Sequence, residues 1–102
     1  MANPYSLRTP DQISTDLAER LRDLRLAKGW RQVTLAERSG VSLGSLRRFE
    51  ASGRVSLQNL LKLAFALGRL DDFEDLLQPP PAASIAELEA ATERPSRQRG
   101  RI

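Results

Sequence analysis

The chain has 102 residues, 40% of them hydrophobic, and 16 Lys and Arg stand against 13 Asp and Glu for a formal net charge of +3. This composition suits one small soluble domain with room for a tail. There is neither Cys nor His, which excludes disulfides, thiol nucleophiles, imidazole bases and the usual zinc and haem ligands.

Helix signals run along the chain, and strand signals are almost absent. Thr9-Pro10-Asp11-Gln12 has the form of an N-cap, a proline in the first turn and a glutamine that reaches back to the cap. Ile13, Leu17, Leu21 and Leu24 then recur at helical spacing, and Gly29 supplies a stop. A second helix is expected over 32–39, with Leu35 and Ala36 inward and Gly40 ending it. Ser42 caps a third, with Leu46 and Phe49 inward, which closes near Gly53. Ser56 caps a fourth over 57–67, with Leu60, Leu61, Leu63, Ala64 and Leu67 inward. A fifth is expected over 70–77, with Asp71, Asp72, Glu74 and Asp75 near its start, where the helix dipole favours them.

Pro79-Pro80-Pro81 stops regular structure by removing three donors and fixing φ. Ser84-Ile85-Ala86-Glu87 has the form of another capping box, so 85–91 forms a short helix at most. Residues 94–102 hold almost no core-forming side chains and are expected to be disordered. The domain is therefore expected over 10–78, and 79–102 is a Pro-rich break, a short helix and a basic tail. No apolar run approaches the roughly 18 residues of a membrane span. The N-terminus also lacks a signal-peptide stretch, so cytoplasm is the expected compartment.

Charge is unevenly distributed. Fourteen of the 16 basic residues are Arg, whose planar fork suits phosphates, carboxylates and guanine edges. Residues 15–54 are strongly basic, 55–77 are net acidic, 78–93 carry only Glu, and 94–102 carry only Arg. That asymmetry points to an anionic partner for the basic body. No acid/base pair or nucleophile is legible, so neither an enzyme nor a cofactor or metal site is expected. RNA binding is disfavoured because the few aromatics form no stacking set.

The second and third helices are separated only by Ser39-Gly40-Val41, which makes a helix-turn-helix. Trp30-Arg31-Gln32-Val33-Thr34-Leu35-Ala36-Glu37-Arg38-Ser39-Gly40-Val41-Ser42 resembles the opening of the Cro/C1-type (XRE) helix-turn-helix. Leu46-Arg47-Arg48-Phe49-Glu50 and the later Leu57-x-x-Leu60-Leu61-x-Leu63-Ala64 continue it, over roughly residues 15–77.

The resemblance implies an all-α, five-helix, lambda-repressor-like DNA-binding domain with a flexible C-terminal tail. It implies that Gln32 contacts a phosphate and that Ser42, Leu43, Gly44, Ser45, Arg47 and Arg48 meet base edges or backbone. Arg25 and Glu50 match a pair that forms a largely buried ion bridge. Arg31 replaces the usual small polar cap, leaving that helix end less well capped but adding a phosphate contact. Leu43 and Gly44 replace polar readers, so direct readout leans on Arg48 and Arg47, and DNA shape supplies the rest.

The expected partners are double-stranded DNA and a second copy of the chain on a palindromic site. The Pro-rich break and tail also resemble the HipB-type antitoxins of toxin–antitoxin pairs, which implies a HipA-like kinase partner. The alternative is a stand-alone regulator.

Overall fold

The computed structural model describes residues 8–81. In chain order these form α1 (Pro10–Ala27), α2 (Gln32–Ser39), α3 (Leu43–Ser52), α4 (Leu57–Ala66) and a 3-10 turn (Leu70–Phe73). Local chemistry sets the boundaries. At the start of α1 the Gln12 N–H donates to Thr9 Oγ1 at 3.1 Å, and the Thr9 N–H donates back to Gln12 Oε1 at 2.9 Å. Ser42 and Ser56 accept from the N–H groups of Ser45 and Asn59, each at 3.1 Å, capping α3 and α4.

Helix α1 packs on α3, α2 packs on both α3 and α4, and the 3-10 turn packs on α4. Leu35, Leu46, Phe49 and Leu63 are the largest fully buried side chains. Ala18, Leu21, Ala36, Val41 and Leu67 complete the core around them. Leu60 and Leu61, expected inward on α4, are half-buried. No helix among the described residues is long and apolar enough to cross a membrane.

Gly53 ends α3 with φ 79° at a point where α1 passes very close: a Cβ there would meet the Ser14 carbonyl carbon and Thr15 nitrogen at 3.0 Å. Gly40, with φ 78°, has open space around it. Gly53→Ala is expected to lose about 1–3 kcal/mol to backbone strain, and more because neither backbone can yield without separating α1 from α3. Gly40→Ala should lose only the left-handed preference, about 1–2 kcal/mol. Denaturant titration of both variants checks this ranking, and equal losses would contradict it.

Two expectations are corrected. The described residues hold four α-helices rather than five, because 70–77 forms only the 3-10 turn Leu70–Phe73. Its apolar residues, Leu70, Phe73 and Leu76, recur every three positions, which matches the 3.0-residue period of a 3-10 helix. Its first turn has no side-chain cap, Leu77 takes φ 61°, and Pro79 disfavours helix in the residue before it. Asp72 pairs with Arg69 at 2.9 Å, so this carboxylate holds the turn rather than supporting a long helix dipole.

Ile13 is the second correction: it is 45% exposed rather than part of the core. Ile13 borders an open groove between α1, α4 and the 3-10 turn, so its outer side is left uncovered. The expected flexible tail, including the short helix over 85–91, lies outside the described residues.

Candidate nucleic-acid interface

The link between α2 and α3 is tightly built. Ser39 Oγ–H donates to the Ala36 carbonyl at 3.3 Å, and Ser39 Oγ accepts from the Val41 N–H at 3.2 Å. Gly40 supplies the left-handed residue, and buried Val41 anchors the turn in the core. The result presents the N-terminal end of α3 outward. Ser42 Oγ–H also donates to Ser45 Oγ at 2.9 Å, so the cap is a two-serine unit. The N–H groups of Leu43 and Gly44 have no carbonyl to reach within the helix, which leaves a positive pole at this end.

Beneath this surface lies a buried ion pair. Arg25 Nε–H and Nη2–H donate to Glu50 Oε2 and Oε1 at 2.8 and 2.9 Å, and both side chains are under a tenth exposed. Arg25 Nη1–H donates to the Trp30 carbonyl at 2.9 Å, which ties in the turn after α1. Gln32 Nε2–H donates to Glu50 Oε1 at 2.9 Å, adding the start of α2. One carboxylate on α3 therefore fixes α1 and α2 together. Among the described residues no buried side-chain nitrogen or oxygen lacks a partner.

The residues singled out in the sequence fall into distinct places. Ser42, Gly44, Arg47 and Arg48 are exposed on α3 and its cap, and Ser45 is half-exposed. Leu43 is half-buried against the core, so only part of its side chain faces outward. Gly44 has nothing near its missing Cβ, which makes it the barest point of that surface. Arg31 is exposed at the N-cap of α2 and makes no side-chain cap bond. Gln32, at the adjoining end, is half-buried with its amide nitrogen committed to Glu50.

Sequence reasoning missed two neighbours. Arg54 and Asn59 line one shallow notch with Ser45, Arg48, Val55 and Ser56, between the end of α3 and the start of α4. The signal for Arg54 was its place directly after the Gly53 stop. Ser52 Oγ–H donates to the Arg48 carbonyl at 2.7 Å and Ser52 Oγ accepts from the Arg54 N–H at 3.2 Å, which fixes that turn. The notch sets two guanidinium-bearing residues beside the capped N-terminus of α4, an arrangement suited to phosphate oxygens.

Trp30 closes the α1–α2 turn by packing on the core. The Lys28 ammonium and Arg38 guanidinium lie 5.3 and 4.5 Å from its ring centroid. These two cations are thus held at the indole, close to the basic surface.

Comparison with curated proteins and with solved structures gives no match. The model of the helix-turn-helix family matches residues 21–73, which spans α2, the Gly40 turn and α3 entirely and is just over half of the 102 residues. This chain therefore belongs to the Cro/C1-type (XRE) helix-turn-helix family, a family of DNA-binding transcription regulators.

Proposed function

We propose that the protein is a sequence-specific repressor that lays the N-terminal half of α3 in the major groove and binds a palindromic operator as a homodimer. The observation that carries this reading is the single surface formed by the Ser42–Ser45 cap, bare Gly44, exposed Arg47 and Arg48, and the Arg54–Asn59 notch. Arg48 is the reader of a guanine edge. Arg47, Arg31 and Arg54 hold the phosphates on either side, and the backbone at Gly44 approaches the duplex closely. Gln32 braces Glu50 through one Nε2–H and keeps the other N–H for a phosphate oxygen.

One α3 offers few base contacts, so a second copy must supply the remaining affinity. The surface for it is the outward ridge of α4, where Leu57, Leu61 and Phe65 recur every four residues and Leu70 extends the row. Leu57 and Phe65 are 67% and 71% exposed, unusual for such side chains on a small domain. This ridge begins next to Ser56 in the notch, so two copies meeting there keep their α3 helices on one side of the pair. The antitoxin reading rests on residues beyond 81 and on no contact described here. A stand-alone regulator needs only the described surfaces.

A labelled duplex carrying a site selected by the protein, titrated across a salt series, tests the proposal. About four to eight phosphate contacts across two copies give a log–log slope of roughly −4 to −7. A slope near −1, with equal affinity for any duplex, would overturn it.

A further inference from the structure

Two cations away from α3 are held on an indole and have no counter-charge. The Arg38 guanidinium lies 4.5 Å and the Lys28 ammonium 5.3 Å from the Trp30 ring centroid, and both residues are exposed. Neither forms an ion pair among the described residues. The chain from Leu24 to Ala36 contains no acid. Glu37 follows it directly, but adjacent residues on a helix do not face each other, so it does not cancel Arg38.

The turn that carries Trp30 is fixed to α3. Arg25 Nη1–H donates to the Trp30 carbonyl at 2.9 Å, and its other nitrogens hold Glu50 of α3. Gln32 reaches the same carboxylate at 2.9 Å. Arg47 stands three residues before Glu50 and is its neighbour on α3. Arg48 instead lines the notch that holds Arg54. The Trp30 cations thus stand on the Glu50 flank of α3, and Arg54 stands on the other.

We propose that Lys28 and Arg38, pre-ordered by the Trp30 indole, clamp one DNA backbone phosphate on the flank of α3 away from the Arg54 notch. This site deepens the DNA-binding reading above and rests on it. A major groove about 12 Å wide that takes a helix brings a backbone to each side of that helix. The notch meets one backbone, and the turn between α1 and α2 meets the other. An ammonium beside a planar guanidinium recognises phosphate by charge, not by sequence. Free Lys and Arg side chains lose rotamer freedom when they seat an anion, and cations already lying on an indole have lost much of it beforehand. The two cations make the contact, and Trp30 is a positioning residue.

Binding of the full-length chain to a selected duplex and to an unrelated one, each across a salt series, tests the clamp. Lys28→Gln with Arg38→Gln should lower the magnitude of the log–log slope by about 1 for each bound copy. Both duplexes should weaken by the same factor, which leaves the preference between them unchanged. Trp30→Leu should weaken binding in the parent and add little in the double variant, because the indole acts through those two cations. Trp30→Phe keeps a ring and should restore most of the parent affinity. Circular dichroism identifies the variants that are folded at the binding temperature, and the slope comparison stands whether or not Trp30→Leu folds. An unchanged slope in the double variant would overturn the clamp and leave the DNA-binding reading intact. A parent that binds no duplex would overturn both. Equal losses from Trp30→Leu in the parent and in the double variant would overturn its positioning role, since the indole would then act by packing alone.

Discussion

Glu50→Ala should destabilise the domain by about 3–5 kcal/mol, the loss expected when one member of a buried ion pair is removed. The structure explains why the loss belongs at the upper end. Glu50 accepts two bonds from Arg25 and one from Gln32, so its removal strands a buried guanidinium and a half-buried amide together. Only the Trp30 carbonyl would remain for Arg25. A domain of this size has roughly 5–10 kcal/mol of stability in all, so the variant should be largely unfolded at 37 °C. Denaturant unfolding followed by circular dichroism measures the effect.

The double variant Arg25→Met, Glu50→Leu separates charge from shape. Replacing both partners by apolar groups of similar volume removes the stranded charge, so the double variant should be far more stable than either single one. It should still fall short of the parent, because the Gln32 amide and the Trp30 carbonyl lose their partners. Additive losses from the two substitutions would contradict the coupling.

The second large effect concerns binding rather than folding. Arg48→Ala should cost about 1–3 kcal/mol per half-site in discrimination between the preferred base and its alternatives. In a two-fold complex the loss applies twice. Stability should hardly change, since the Arg48 side chain is exposed and makes no hydrogen bond or ion pair among the described residues. Arg48→Lys keeps the charge but not the fork, so the salt slope should persist while the preference fades.

Gly44→Ala provides a variant in which the two properties move in opposite directions. Nothing surrounds the missing Cβ, and the residue lies in the first turn of α3, so alanine should raise stability by up to about 0.5–1 kcal/mol. The added methyl also stands where the backbone would meet the duplex, so affinity should fall. A variant that is stabler and binds equally well would remove Gly44 from the interface.

Much of this was legible from local chemistry. The Thr9–Gln12 capping box, the serine caps of α3 and α4, and the glycine stops at 40 and 53 are short-range features, and they set five helix boundaries. What local chemistry could not decide was the last element. Over two turns, a three-residue spacing of Leu70, Phe73 and Leu76 fits an α-helix nearly as well as a 3-10 turn. Ile13 shares the stripe of α1 but borders an open groove, and periodicity carries no information about whether a facing element covers a given position.

The site divides in the same way. Arg47, Arg48 and Gly44 could be named from their place after the Gly40 turn. The Gln32–Glu50 bond joins residues 18 positions apart, and the Arg48–Arg54–Asn59 notch brings the end of one helix to the start of another. Such groupings exist only once the chain has folded.

Selection of bound duplexes from a random library by the full-length protein, run beside Arg48→Ala, tests the central claim most directly. The parent should enrich one inverted repeat with half-sites about one helical turn apart and a guanine at a fixed position in each. The variant should lose that guanine while still binding DNA. Enrichment of no motif by the parent, or of the same motif by both proteins, would contradict a reading head at the start of α3.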